Sequence, residues 1–202
     1  MRSLPEHFGP LDIYLFDQLL RGRIAPGMRI FDAGCGGGRN LVYLLREGYE
    51  TFGVDSDAEA IDGIRQLAHH LAPTLPPNNF RQENLEAMSF PDHFADVVIS
   101  CAVLHFAQDD RHFEAMLQGT WRVLQPGGLF FCRLATSIGI EDRIEPTGQN
   151  RFLLPDGSER YLANEAMLER YTQAWGGEWL DPLKTTLVQN QRAMTTWVLR
   201  KN

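Results

Sequence analysis

FDAGCGGGRN, Phe31–Asn40, packs four glycines into five positions, Gly34 and Gly36 to Gly38. An apolar run, Met28–Ala33, leads into it and reads as a strand. Beyond it, Leu41, Leu44 and Leu45 share one helical face, and Gly48 ends that helix. Strand, glycine loop and helix together make a ligand site in α/β sheets. The crevice lies beyond the carboxyl ends of the strands. Glycine permits positive φ and close approach, and free amides at a helix start suit an anion. A tight turn without a ligand is the competing reading. The entropic penalty of so many glycines argues against it.

The neighbouring segments repeat the alternation. A leading helix is predicted over 11–24, ahead of the turn Ala25–Gly27. After the first strand and helix, residues 49–55 read as a second strand ending in an acid. The helix over 56–72 is capped by Ser56 or Asp57. Short strand 80–84 follows a proline-rich break, and 95–103 is nearly all apolar, as in a strand buried on both faces. A helix over 109–124 stops at Gln125–Gly128, and 129–135 is a fifth strand. Residues 136–162 are polar and turn-rich. A helix capped near Asn164 and two runs, 183–190 and 193–201, complete the chain. The short link makes those two runs antiparallel. The pattern predicts one α/β domain over 1–202: a mostly parallel seven-stranded sheet with one antiparallel strand near its edge and helices on both faces.

Composition narrows the function. The net charge of −7 disfavours nucleic-acid or anionic-membrane binding. Cys35, Cys101 and Cys132 form neither a disulfide framework nor a metal-ligand spacing. With no apolar run near the length of a membrane span and no apolar core in the first residues, a cytoplasmic protein is expected.

Three ligands compete for the glycine loop. A nicotinamide dinucleotide needs G-x-G-x-x-G; Gly34 and Gly36 fit, but Arg39 stands where the third glycine allows close helix–strand contact. The P-loop lacks its lysine and hydroxyl, since Arg39 and Asn40 follow the glycines. The third is S-adenosylmethionine. FDAGCGGGR resembles the first motif of the class I (Rossmann-like) methyltransferases, and GVDSD the second. QENLEAMSFPDHFADVVISCAVLHF resembles the third and fourth regions, and RVLQPGGLFFC the helix, turn and fifth strand. The stretch GRNLVYLLREGYETFGVD is locally similar to tellurite-resistance and thiopurine-type methyltransferases.

The resemblance implies a Rossmann-like doubly wound sheet and a set of roles. Gly34, Cys35 and Gly36 would expose backbone beside the methionine and ribose parts of the cofactor, with Arg39 and Ser56 nearby. Asp32 would hold the methionine ammonium, directly or through water. Asp55, 21 residues past Gly34, would accept from both ribose hydroxyls, although helix capping is its rival role. Asn84 stands where the family often has Asp for the adenine amino group; its carbonyl can accept equally. The Leu85 amide would meet the ring, and Cys101 would lie near the sulfonium.

Methyl transfer needs alignment and exclusion of water more than catalytic groups. His105, just past the fourth strand, is the candidate base, with packing as its competing role. His69, His70 and His112 read as exposed. The 136–162 insertion is expected to act as a substrate-side lid. Arg133 and Arg143, with Arg151 and Arg160, could grip an anionic acceptor. The expected reaction is methyl transfer to a small molecule by a monomer or homodimer, leaving S-adenosylhomocysteine as product. A nicotinamide-dependent oxidoreductase and a non-catalytic cofactor-binding module are the alternatives.

Overall fold

The computed structural model describes residues 3–202. Five parallel strands form the frame: β1 (Arg29–Ala33), β2 (Glu50–Asp55), β3 (Phe80–Gln82), β4 (Ala95–Cys101) and β5 (Leu124–Thr136). The small strands β6 (Glu145–Gly148), β7 (Arg151–Leu153) and β8 (Glu159–Tyr161) form a separate antiparallel sheet. β9 (Gly177–Trp179), β10 (Lys184–Val188) and β11 (Arg192–Lys201) complete the main sheet. Its order is β10-β11-β5-β4-β1-β2-β3, with β11 antiparallel to β5. The seven strands and the single reversed one match the sequence expectation. The sequence did not show β9, which pairs with the far end of β11.

Among the described residues six α-helices accompany the strands: α1 (Leu4–Phe8), α2 (Ile13–Leu20), α3 (Val42–Arg46), α4 (Ala58–Leu71), α5 (Asp110–Val123) and α6 (Glu165–Ala174). Side chains alternate between the faces of each strand. Ile30, Val97, Ile99 and Phe131 pack in the core that includes α2, α3 and α4. Phe31, Val98, Phe130 and Cys132 pack in the core that includes α5 and α6. Each such side chain, fully buried, contributes roughly 1.5–3 kcal/mol of hydrophobic stabilisation.

Three expectations change. The leading segment is two helices: Ser3 caps α1 in a capping box, and Asp12 starts α2 by accepting from Tyr14 N. The helix after the glycine loop starts at Val42 and spans only five residues, so no long helix aims free amides at the glycines. The 136–162 segment is the β6-β7-β8 sheet. It rests on the loop after β4, where Arg151 Nη1 donates to Ala107 O, and Tyr161 stacks on Phe113 at 4.7 Å. None of its residues lines the cavity described next.

Candidate active site

A cavity of about 840 Å³ opens at the carboxyl ends of β1 to β4. The strand order reverses between β1 and β4, which is where α/β sheets place ligands. Its walls come from the glycine loop, the ends of β2 and β3, the loop after β4 and the first turns of α5.

The glycines have different physical reasons. A Cβ on Gly34, at φ 83°, would collide with the Val103 side chain, and one on Gly38 with Ile64. Those two glycines serve protein packing. A Cβ on Gly36, at φ 50°, would meet no protein atom within 4 Å, and Gly36 and Gly37 line the cavity. Gly34 and Cys35 line the cavity as well, but at Gly36 and Gly37 the space a Cβ would take is itself open to a ligand.

Asp55, at the end of β2, lines the cavity and accepts from Gly36 N at 2.9 Å and Asp57 N at 3.0 Å. Asp57 caps α4 by accepting from Glu59 N, so the helix does not claim Asp55. Ser56 joins it in the wall. Asn84 and Leu85 line the next portion, and Asn84 makes no side-chain capping bond. Their position is set by Gly119 of α5: a Cβ there would collide with Leu85 O, so the helix backbone lies directly on this turn.

Asp32, on β1, is 2% exposed beneath the loop, and its Oδ1 has no hydrogen-bond partner. Burial pushes its carboxyl up to about 8; the Arg39 guanidinium partly offsets this and Asp55 adds to it. Arg39 and Cys101 both line the cavity, and Arg39 Nη2 donates to Cys101 Sγ at 3.1 Å. Burial raises the Cys101 thiol to about 11 and the Cys35 thiol further, so both stay protonated at neutral pH.

Three expected site residues lie elsewhere. His105 is buried outside the cavity, and its Nδ1 accepts from Ala135 N at 3.1 Å. Burial, then the charges of Arg160 and Arg192, push the imidazole down to about 4. It pins the loop after β4 to β5. Arg133 pairs with buried Asp12 at 2.9 Å and lies over Tyr14, tying α2 to β5. Arg143 is half exposed beside Asp142 and does not line the cavity.

Other wall residues were missed. His112 is a cavity residue, not an exposed one: Asp109, which caps α5, accepts from its backbone N–H, and its Nε2 lies 3.8 Å from Glu86. Pro10 enters the wall because Asp12 N donates to Asn40 Oδ1 and holds the chain before α2 against the loop. A helical turn of charged residues and an N-terminal proline carry no local signal for either placement. Among the described residues, no group of three or more His, Cys, Asp or Glu could hold a metal ion, and no helix is long and apolar enough to cross a membrane.

The strand order, the reversed β11 and a glycine-lined cavity at the switch point define the Rossmann-like S-adenosylmethionine-dependent methyltransferase class. A family model described as a methyltransferase domain matches residues 31–132, just over half of the chain, and the chain belongs to that family. It is 30% identical over 107 residues to an uncharacterized methyltransferase of Synechocystis, covering 53% of this chain and 47% of that protein. It is 26% identical over 158 residues to a ubiquinone biosynthesis O-methyltransferase of Chelativorans, covering 71% of this chain and 60% of that one. The matched chain thus spans about half to three fifths of these curated relatives. An S-adenosylmethionine-dependent methyltransferase structure from Methanosarcina mazei superposes with a TM-score of 0.71 at 21% identity, over 91% of this chain and 96% of that one. The 1,6-didemethyltoxoflavin-N1-methyltransferase of Burkholderia thailandensis, solved with S-adenosylhomocysteine, gives 0.69 at 17% identity, over 93% and 76%. These structural likenesses establish the fold.

Proposed function

We propose that this protein transfers a methyl group from S-adenosylmethionine to a small-molecule acceptor. The carrying observation is Asp32: a buried carboxylate with an orphaned oxygen, beneath a glycine strip that leaves space for a ligand. What its Oδ1 lacks is a hydrogen-bond donor, and an aminoacyl nucleoside brings one in its ammonium. The rest of the wall fits the same ligand. Asp55 keeps lone pairs for a ribose diol while two backbone amides hold it in place. Arg39, bonded among the described residues to a weakly accepting thiol, is suited to the ligand's carboxylate. Asn84 and Leu85 would meet the base.

When bound, S-adenosylmethionine supplies a methyl carbon already activated for in-line displacement. The protein's task is alignment and exclusion of water. Val103, Phe106 and Pro10 give the wall an apolar portion suited to an acceptor. His112 is the imidazole that lines this cavity.

Calorimetry with S-adenosylhomocysteine and with NADH tests the donor. The homocysteine compound should bind and NADH should not; the reverse would overturn the reading. Turnover of methyl-labelled donor against thiols, phenols and amines separates an enzyme from a binding module.

A further inference from the structure

The four arginines expected to grip an acceptor have separate fates. Arg133 is consumed by Asp12, and Arg143 pairs locally with Asp142. Arg151 is tied to Glu159 at 3.1 Å and to Ala107 O. Arg160, on β8, has no carboxylate within ion-pair distance among the described residues; its Nη1 donates only to its neighbour's carbonyl, Glu159 O, at 2.7 Å. The nearby Asp156 accepts from Ser158 and lies 4.0 Å from Arg192.

The Arg160 guanidinium lies 5.0 Å from the centroid of the Phe106 ring. Phe106 lines the cavity and is nevertheless 56% exposed. A large aromatic ring open to water at a cavity rim offers a stacking surface. A guanidinium beside a ring face keeps its planar donors available for a carboxylate. The cation stands over Phe106, while Asp55, Glu83 and Glu86 are the carboxylates of the cavity wall. With Arg39 assigned to the donor's carboxylate, Arg160 beside Phe106 is the cation left for an anionic acceptor.

We infer that Phe106 and Arg160 form the acceptor subsite, and that it takes a planar small molecule carrying an anionic group, such as an aromatic carboxylate. The flat body lies on Phe106 with its reactive atom inward, and the anionic end reaches Arg160 at the rim. This rests on the methyl-transfer reading and adds the acceptor class to it.

The test titrates 2-naphthoate, 2-naphthamide and cyclohexanecarboxylate into the protein, with and without S-adenosylhomocysteine. Naphthoate should bind at least tenfold more tightly than either of the others. Arg160→Ala should bring naphthoate down to the level of naphthamide, and Phe106→Leu down to that of cyclohexanecarboxylate. Affinity for S-adenosylhomocysteine should stay within twofold in both. Arg160→Gln replaces the alanine variant if that one unfolds. Equal binding of naphthoate and naphthamide, or an unchanged preference in the arginine variant, overturns the subsite. Intact binding of S-adenosylhomocysteine would then leave the donor reading standing. Failure of wild type to bind S-adenosylhomocysteine overturns the donor reading instead, and the titrations without it still decide the subsite.

Discussion

Asp32→Asn separates the binding role of this carboxylate from its effect on stability, and the two should move in opposite directions. The folded protein holds the Asp32 proton up to about pH 8, whereas an unfolded chain loses it near the ordinary value of 3.8. Between those values the folded state binds more protons, so its stability falls as pH rises. The slope is about 1.36 kcal/mol per pH unit, or roughly 4 kcal/mol from pH 4 to 7. Asn cannot ionise, so the variant should lose this dependence. It should match wild type near pH 4 and exceed it by several kcal/mol near pH 8, as read by urea unfolding across that range. Binding should behave in the reverse sense. At pH 7 about nine tenths of the free protein carries the Asp32 proton. An ammonium arriving beside the carboxylate expels it, so close to one proton should leave per S-adenosylhomocysteine bound. Calorimetry in buffers of different ionisation heat measures that number. Asp32→Asn should release none through this group and bind about 10- to 100-fold more weakly, the worth of one charge-assisted bond. Equal proton release by the two proteins, or a wild-type stability that is flat between pH 5 and 8, would refute the argument.

Gly34→Ala should cost roughly 2–4 kcal/mol in chemical denaturation, because φ is positive and Val103 fills the space. Gly36→Ala should cost only about 1 kcal/mol and instead weaken S-adenosylhomocysteine, since its Cβ would enter the cavity; calorimetry distinguishes the two. Asp55→Ala should lower the same affinity and also cost about 1–3 kcal/mol of stability, because Gly36 N and Asp57 N lose their acceptor. His105→Gln should abolish a loss of stability that wild type shows on acidification. The folded imidazole titrates at about 4 and the unfolded one near 6.5, so roughly 3 kcal/mol is lost as pH falls through that window. Thermal melts at pH 4.5 and 7 would show it, and methyl transfer at pH 7 should persist.

The donor half of the site was legible because its signals are local. A strand ending in Asp32, a glycine loop and an acid 21 residues beyond Gly34 are fixed by backbone geometry over short spans. The reversed final strand was legible too, since a short link between β10 and β11 leaves no other arrangement. What the sequence did not show is that two of the four glycines also answer to Val103 and Ile64, partners 69 and 26 residues away. The three strands of the insertion are three or four residues long and rich in turn formers and charge, too short to show a period. His105 is buried outside the cavity and His112 lines it, because burial and cavity position depend on what packs around a residue.

The sequence by itself determined the class of fold, the methyl-donor family it resembles and the two carboxylates that frame the loop. Those follow from hydrophobic period, glycine placement and spacing along the chain. Packing between distant segments determined which charges remain available for an acceptor. Arg133 and Arg160 look alike as letters. Asp12, brought in from the cap of α2 across 121 positions, neutralises the first, and among the described residues no carboxylate lies within ion-pair distance of the second where it stands over Phe106.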